Sequence, residues 1–437
     1  MGEVFPRLDG ARPLVGHMPE MYRHFPELCA RGHRAHGPVF WIEGGPGAKQ
    51  LMLATRDGVA LLKDKALSAS FYAEGFGPML ADTLFAFDGA EHRRLRALMA
   101  PAFTPKRIGQ TEVLRVIDEV ARRSIDRWLE AGRFDAVVAS KEYALEIILR
   151  LVGVPREQLT AFRIQFERYR LCAVPSQGWI LAPLVWTGVR ARDWIDARLG
   201  TMVDHCRQAE DETTLLGAIA NRRDEAGHFT ERKLVVANLR LLVLAGHETT
   251  AATLAWSLLH AATDPRLQER ALEASLSPDD DSGELDLAGQ QFLEAARLYP
   301  TVHSVIRRTQ TPLDVEGRSV PPGLLVNIPL LHMLLDPERF PSPGTYRPQR
   351  WQGWPRPGSV RAAMFGGGPH FCLGYHIALA EGARFHRHLA AALRRHGRRL
   401  RRHGPVPIPV FLPLTHPPGK HIIELERAPL RAFKGQV

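Results

Sequence analysis

Cys372 closes the glycine-rich run Phe365-Gly366-Gly367-Gly368-Pro369-His370-Phe371-Cys372-Leu373-Gly374, and the helical pattern Tyr375-His376-Ile377-Ala378-Leu379-Ala380-Glu381 follows at once. A thiolate at a helix N-terminus gains from the positive end of the helix dipole. Backbone N–H groups freed by the turn and the helix start can point at the sulfur and tune it. This is the setting of a metal-ligating cysteine. Three other segments carry chemistry. Leu244-Ala245-Gly246-His247-Glu248-Thr249-Thr250 sets an acid beside an alcohol, behind small residues that let a flat group approach the helix backbone. His92 and Arg96 are four apart, share a helical face and suit anionic groups. Glu294 and Arg297 are three apart on a helix that Tyr299-Pro300 ends.

The order around Cys372 resembles the haem-binding loop of the cytochromes P450: Phe365 seven before the cysteine, Gly368 four before, His370 two before, Gly374 two after. In that family the thiolate is the axial haem ligand and pushes electron density onto iron, which favours O–O cleavage. The resemblance implies Cys372 as the metal ligand and haem b as the cofactor. It implies Glu248 and Thr249 as the catalytic pair on a central helix, the alcohol supporting oxygen activation and the acid relaying protons. Ala245 and Gly246 would lie against the cofactor, and Phe365 and Gly374 would frame the loop. His92, Arg96 and His370 would hold the haem propionates. Position 370 varies between His and Arg in the family, so a His contact there depends on pH.

After Pro300 the chain reads as extended, and Arg307 matches the family's propionate-binding arginine. Arg308 is the alternative, because strand alternation sends the two to opposite faces. Glu294 and Arg297 are similar to the family's E-x-x-R pair, which is buried and completed by an arginine of the meander before the haem loop. Arg347 is the first choice for that arginine, with Arg339 and Arg350 competing.

The resemblance spans Arg12 to Leu425, so the expectation is one cytochrome P450 domain over residues 1–437. The fold expected is mainly α with a minor β-rich part near the N-terminus, and haem between the central long helix and the helix following the cysteine loop. Helices are predicted over Met18 to Ala35, Glu91 to Phe103, Thr111 to Ala131, Lys141 to Val152, Val189 to Gln208, Glu231 to Thr263, Leu287 to Leu298 and Tyr375 to Arg395. Strands are predicted over Val39 to Glu43, Gln50 to Ala54, Val302 to Thr309 and Ile422 to Glu426. The apolar run from Leu234 to Leu259 is interrupted by Asn238, Arg240, His247 and Glu248, each costly in lipid, so it reads as a buried core helix.

The first residues hold no 18-residue apolar run and no signal-like core, which argues against a transmembrane anchor and for a soluble, bacterial-type protein. The four cysteines, Cys29, Cys172, Cys206 and Cys372, show no C-x-x-C spacing and fit a reducing cytoplasm. The net charge is +10. Arg394, Arg395, Arg398, Arg399, Arg401 and Arg402 are expected at the end of the helix that Cys372 starts. They are either a solvated helix end or a docking charge for an acidic ferredoxin. No aromatic-interleaved motif accompanies them, which argues against nucleic acid.

The activity implied is monooxygenation: one atom of O2 enters a hydrophobic small molecule and the other becomes water. Electrons would come from NAD(P)H through a separate ferredoxin reductase and ferredoxin. The runner-up is a peroxide-using or rearranging enzyme of the same fold, and a haem sensor or carrier without turnover is a third class. The pocket lining implied by the resemblance is apolar and uncharged: Ser70 to Tyr72, Phe76, Leu80, Trp179 to Leu181 in a lid, Leu242, Ala245, Val302, Val305 and Val410 to Leu412. Such a lining suits a terpenoid, steroid, fatty acid or polyketide without choosing among them.

Overall fold

The computed structural model describes residues 5–45, 48–80, 82–173, 182–224, 226–274, 286–353 and 363–428. Its longer helices are α1 Phe25–His36, α2 Gly89–Met99, α3 Val113–Ala131, α4 Ala136–Leu151, α5 Leu159–Tyr169, α6 Ala182–Ala209, α7 Arg232–Thr263, α8 Pro265–Ala274, α9 Leu287–Leu298 and α10 Tyr375–Arg395. The strands are β1 Val39–Glu43, β2 Lys49–Leu53, β3 Leu67–Ser68, β4 Arg133–Asp135, β5 Val305–Thr309, β6 Leu313–Val315, β7 Arg318–Val320, β8 Leu325–Ile328, β9 Arg398–Arg401 and β10 Ile422–Arg427. One sheet runs β1-β2-β8-β5-β3, a second β4-β10-β9, and β6 and β7 form a hairpin. Among the strands of the described residues, only β2 and β8 pair in parallel. The protein is mainly helical with a small β part, as expected. No helix among the described residues is long and apolar enough to cross a membrane.

Local sequence explains most element boundaries. In α3, Val113, Val116, Ile117, Val120, Ser124 and Trp128 bury one face at helical spacing. The helix stops at Gly132, whose φ of 69° is left-handed. α9 starts where the Asp286 side chain accepts the Gly289 N–H. The predicted helix from Met18 to Ala35 is two helices, Met18–Arg23 and α1, broken at His24. Pro26 in the first turn of α1 has no N–H with which to continue the preceding helix. Pro101 likewise turns the end of the predicted helix from Glu91 to Phe103 into a 3-10 turn, Ala100–Phe103. The predicted lid residues Trp179, Ile180 and Leu181 lie outside the described residues.

α7 is the axis of the core and buries residues on nearly every face. It packs along α4, where a Cβ on Gly246 would come within 3.2 Å of Ile148. α9 packs on α10, and Gly382 of α10 lets the Phe292 ring sit directly on its backbone.

Glu294 and Arg297 of α9 are wholly buried, and the carboxylate is saturated. It accepts from Arg297 Nε and Nη2 (3.0 and 2.9 Å), Arg350 Nε (2.8 Å), Trp351 Nε1 (2.8 Å) and the Arg347 backbone N–H (3.0 Å). The meander arginine is therefore Arg350. Arg347 contributes only its backbone, because Pro348 opens a 3-10 turn there that points Arg350 and Trp351 inward. Arg339 lies 3.8 Å from Asp336 instead.

The arginine cluster is also placed differently. α10 ends at Arg395, and Gly397 at φ 58° turns the chain into β9. Arg399 and Arg401 both pair with Glu426 of β10, and Arg398 donates to the Leu425 carbonyl. These three are sheet residues with partners, not a free helix end.

Removing one member of a buried ion pair strands the other charge at a cost of about 3–5 kcal/mol. Glu294→Ala leaves two guanidiniums and an indole N–H without their acceptor. It is expected to lower unfolding stability by about that amount, measured by urea denaturation.

Candidate active site

The cysteine loop is a folded turn. The Cys372 N–H donates to the Phe365 carbonyl at 2.8 Å and closes it. Gly368 has φ 61°, and a Cβ there would collide with the Leu62 carbonyl oxygen, so only glycine fits. The Phe365 ring meets Tyr375 edge-on at 4.8 Å, and Phe371 packs on the same ring. Gly374 is the N-cap of α10. Burial pushes the Cys372 thiol up to about 11, against the pull of the Gly374 N–H and the Arg96 charge.

Beside this loop, cationic and imidazole groups converge from three elements. The rings of His92 on α2 and His370 in the loop are 4.1 Å apart. His370 Nε2 lies 3.1 Å from Asp88 Oδ1. Asp88 also accepts from Ser68 Oγ (2.6 Å) and the Ala69 N–H (2.8 Å). Burial raises the Asp88 carboxyl, but these donors outweigh it and hold it at about 2. Burial, with the His370 and Arg96 charges, pushes His92 down to about 4, and its Nε2 is buried without a partner among the described residues. Arg96 is half-buried and makes no hydrogen bond or ion pair to a described residue. On β5 the alternation is resolved. Arg307 points inward, its Nη1 donating to the Ile306 carbonyl at 2.9 Å and its guanidinium lying against Tyr72, while Arg308 points outward to Glu74 at 2.7 Å.

A buried guanidinium without a carboxylate is costly unless a ligand pairs it. Arg96 and Arg307 therefore fit a group that carries two carboxylates. His92 offers the unpaired imidazole nitrogen, and Cys372 the soft ligand. The residues present thus fit a haem with its propionates.

The other expected site residues lie on α7. Ala245 is exposed on this otherwise buried helix, and Thr249 lies one turn on, so both face open space. Gly246 does not join them, because it is turned to Ile148 of α4. The small pair expected to lie against a flat cofactor is thus reduced to Ala245. Thr249 Oγ1 donates to the Ala245 carbonyl at 2.6 Å. The Thr249 carbonyl accepts from Thr253 and Thr301, which ties α7 to the segment before β5. Glu248 projects elsewhere, to Arg170 at 3.1 Å and Lys141 at 3.3 Å. Burial opposes its ionisation, but Arg170, His247 and Lys141 hold its carboxyl below the usual range.

Sequence reasoning missed Asp88, Arg170 and Lys141. Asp88 precedes a helix as an N-cap does, which was a signal, yet its side chain serves Ser68, Ala69 and His370 instead. Arg170 and Lys141 carry no motif.

Cytochrome P450 BJ-4 homolog of Sinorhizobium fredii is similar to this chain, 32% identical over 400 residues that cover 90% of this chain and 89% of that protein. The chain belongs to the cytochrome P450 family. The family model, Cytochrome P450, matches residues 179–391, which include Glu248, Thr249, Arg307 and Cys372. Cyclooctat-9-en-7-ol 5-monooxygenase of Streptomyces melanosporofaciens is 26% identical over 403 residues, 86% of either chain. The retinoic acid bound cyanobacterial CYP120A1 shares the fold, with a TM-score of 0.79 at 20% identity over 97% of this chain and 100% of that one. As a cytochrome P450 this protein is a haem-thiolate monooxygenase, an oxidoreductase.

The Asp88 carboxyl sits below its unfolded value near 4, so it stabilises the fold above that pH and ceases to as pH falls towards 2. Asp88→Asn is expected to lower stability at neutral pH and to flatten the loss of stability between about pH 4 and 2. Urea unfolding at stepped pH measures both. Parallel acid limbs for the two proteins would remove Asp88 from the account.

Proposed function

We propose that this P450 inserts one oxygen atom from O2 into a hydrophobic small molecule. Electrons pass from NAD(P)H through a ferredoxin reductase and a ferredoxin. The observation that carries the reading is a pair of guanidiniums without a carboxylate ion pair among the described residues, Arg96 beside Cys372 and Arg307 near Asp88, together with an α7 face open at Ala245 and Thr249. Bound at Cys372, the haem supplies oxygen activation. Cys372 is its only protein ligand, and Phe365 and Gly374 frame the loop that holds it. His92, Arg96, Arg307 and His370 hold the propionates, and Ala245 leaves room for the ring.

Thr249 and Glu248 are the residues that manage protons. The Thr249 hydroxyl donates to Ala245 and keeps its oxygen free to accept. Glu248 is held ionised at the edge of the site and must rotate from Arg170 and Lys141 to serve it. The hydrophobic substrate class is supported by Val302, 40% exposed beside the Thr301 anchor, and by Phe85, 39% exposed and edge-on to Tyr72. The relatives named for cyclooctat-9-en-7-ol and bound to retinoic acid accord with it. Terpenoid, steroid, fatty acid and polyketide substrates all remain within the class. We read residues 1–437 as one domain acting in the cytoplasm, in line with four free cysteines.

Cys372→His is expected to lose the thiolate-type Soret band of the reduced, CO-bound protein, and a surviving band would refute the ligand. Thr249→Ala should keep consuming NAD(P)H while releasing more peroxide per product, by on the order of tenfold. Unchanged coupling would exclude the alcohol. A turnover supported equally by peroxide without reductant would favour the peroxide-using reading.

A further inference from the structure

A cavity of about 490 Å³ opens on the surface between α4, α5 and α7. Val138, Lys141 and Leu145 of α4 and Ile164 and Glu167 of α5 wall it, and His247 of α7 is also part of its lining. Val138 and Ile164 are 49% and 46% exposed and mark the mouth. His247 is buried, and its Nε2 has no partner among the described residues. Its Nδ1 lies 3.9 Å from Glu248 Oε1, a gap that a side-chain rotation or one water closes. The contact of Gly246 with Ile148 fixes α7 against α4 next to this ring.

We propose that His247 is the relay through which protons enter from this cavity to recharge Glu248. The proposal rests on the reading of Glu248 and Thr249 as the proton-managing pair. His247 acts through Glu248 and not on substrate, so it is a positioning and relay residue. The other polar contacts of Glu248 cannot do this work. Lys141 and Arg170 are cations of strong bases, which hold their protons far more tightly than a carboxylate does. A neutral imidazole accepts at one nitrogen while it donates from the other.

The proton balance is simple. Nε2 is closed to solvent in the resting arrangement, so a small movement of the ring or of the cavity wall must uncover it before an acid in the cavity, hydronium or a buffer acid, gives it a proton. The Nδ1 proton passes to the Glu248 carboxylate. The ring is neutral before and after, and release of the Nε2 proton to water with uptake of one at Nδ1 restores the starting tautomer. The charged groups facing the ring are Lys141 and Glu142 from α4, Arg163, Glu167 and Arg168 from α5, Arg170 just beyond it, and Glu248 on its own helix. Burial lowers the affinity of His247 for a second proton, and the nearby Glu248 partly restores it. The ring is therefore neutral at pH 7, as the relay requires.

The test uses the haem-loaded enzyme with His247→Ala, and separately Val138→Trp, which narrows the cavity mouth without touching the ring. Both should keep the CO-bound Soret band and the substrate-induced spin shift of the parent. His247→Ala should slow substrate-dependent O2 consumption by roughly tenfold and raise the solvent deuterium isotope effect. Its rate should then climb with acetate or phosphate concentration at fixed pH, since a small acid can now reach Glu248 directly. Val138→Trp should slow the parent by about twofold and leave buffer dependence weak. In the unmodified enzyme, ¹⁵N-histidine spectra at pH 7 should show a neutral His247. A parent-like rate and isotope effect in His247→Ala, a loss that buffer does not restore, or an imidazolium at pH 7 would overturn the relay. If His247→Ala fails to load haem, Val138→Trp decides, and a parent-like rate there overturns it. Loss of the underlying reading looks different: the parent itself would then lack the thiolate band or substrate-dependent O2 consumption.

Discussion

A single buried carboxylate organises the proximal half of this protein. Glu294 accepts from Arg297, Arg350, Trp351 and the Arg347 backbone, so α9 and the meander before the cysteine loop cannot separate without exposing unpaired charge. α9 in turn seats α10, where the Phe292 ring rests on the bare backbone of Gly382. α10 begins just after Cys372. The position of the thiolate is thus set from behind by charge saturation and from beside by steric fit. Neither constraint tolerates a small displacement, because packed interiors and fully bonded ions have no soft direction.

In front of that scaffold the electrostatic rule reverses. The Glu294 network satisfies every charge, whereas Arg96 and Arg307 hold theirs without a carboxylate and His92 keeps a nitrogen unpaired. Asp88 is the exception that makes the arrangement hold. It accepts from Ser68, Ala69 and His370, and so ties the segment before α2 to the cysteine loop without forming an ion pair with either guanidinium. Saturated charge thus builds the frame, and unsaturated charge gathers beside the cysteine loop.

The central helix divides its labour by face. Ala245 and Thr249 face open space, Gly246 packs on α4, and His247 and Glu248 turn towards the polar contacts with Lys141 and Arg170. The acid and the alcohol are neighbours in sequence and about 100° apart around the axis, as successive helical residues must be. The ion pairs of the acid to Arg170 and Lys141 resist any movement that would bring it to the alcohol.

The sequence by itself determined the family, the mainly helical class, the cysteine loop and the helices over 287–298 and 375–395. These are short-range matters: spacing along a helix, a cap, a glycine that must be left-handed. What only the tertiary structure decided were the choices between near-equivalent residues. Arg307 faces inward and Arg308 outward because β5 is held between β8 and β3. Arg350 reaches Glu294 where Arg347 does not, because the turn at Pro348 meets a helix more than fifty residues earlier. The arginines after Gly397 became a strand because β10 supplies both the backbone partners and Glu426. Asp88 acquired its role from His370, 282 residues away. In each case the deciding free energy is a contact between distant segments, and local propensity, worth at most about 1 kcal/mol per residue outside proline, is too weak to foretell it.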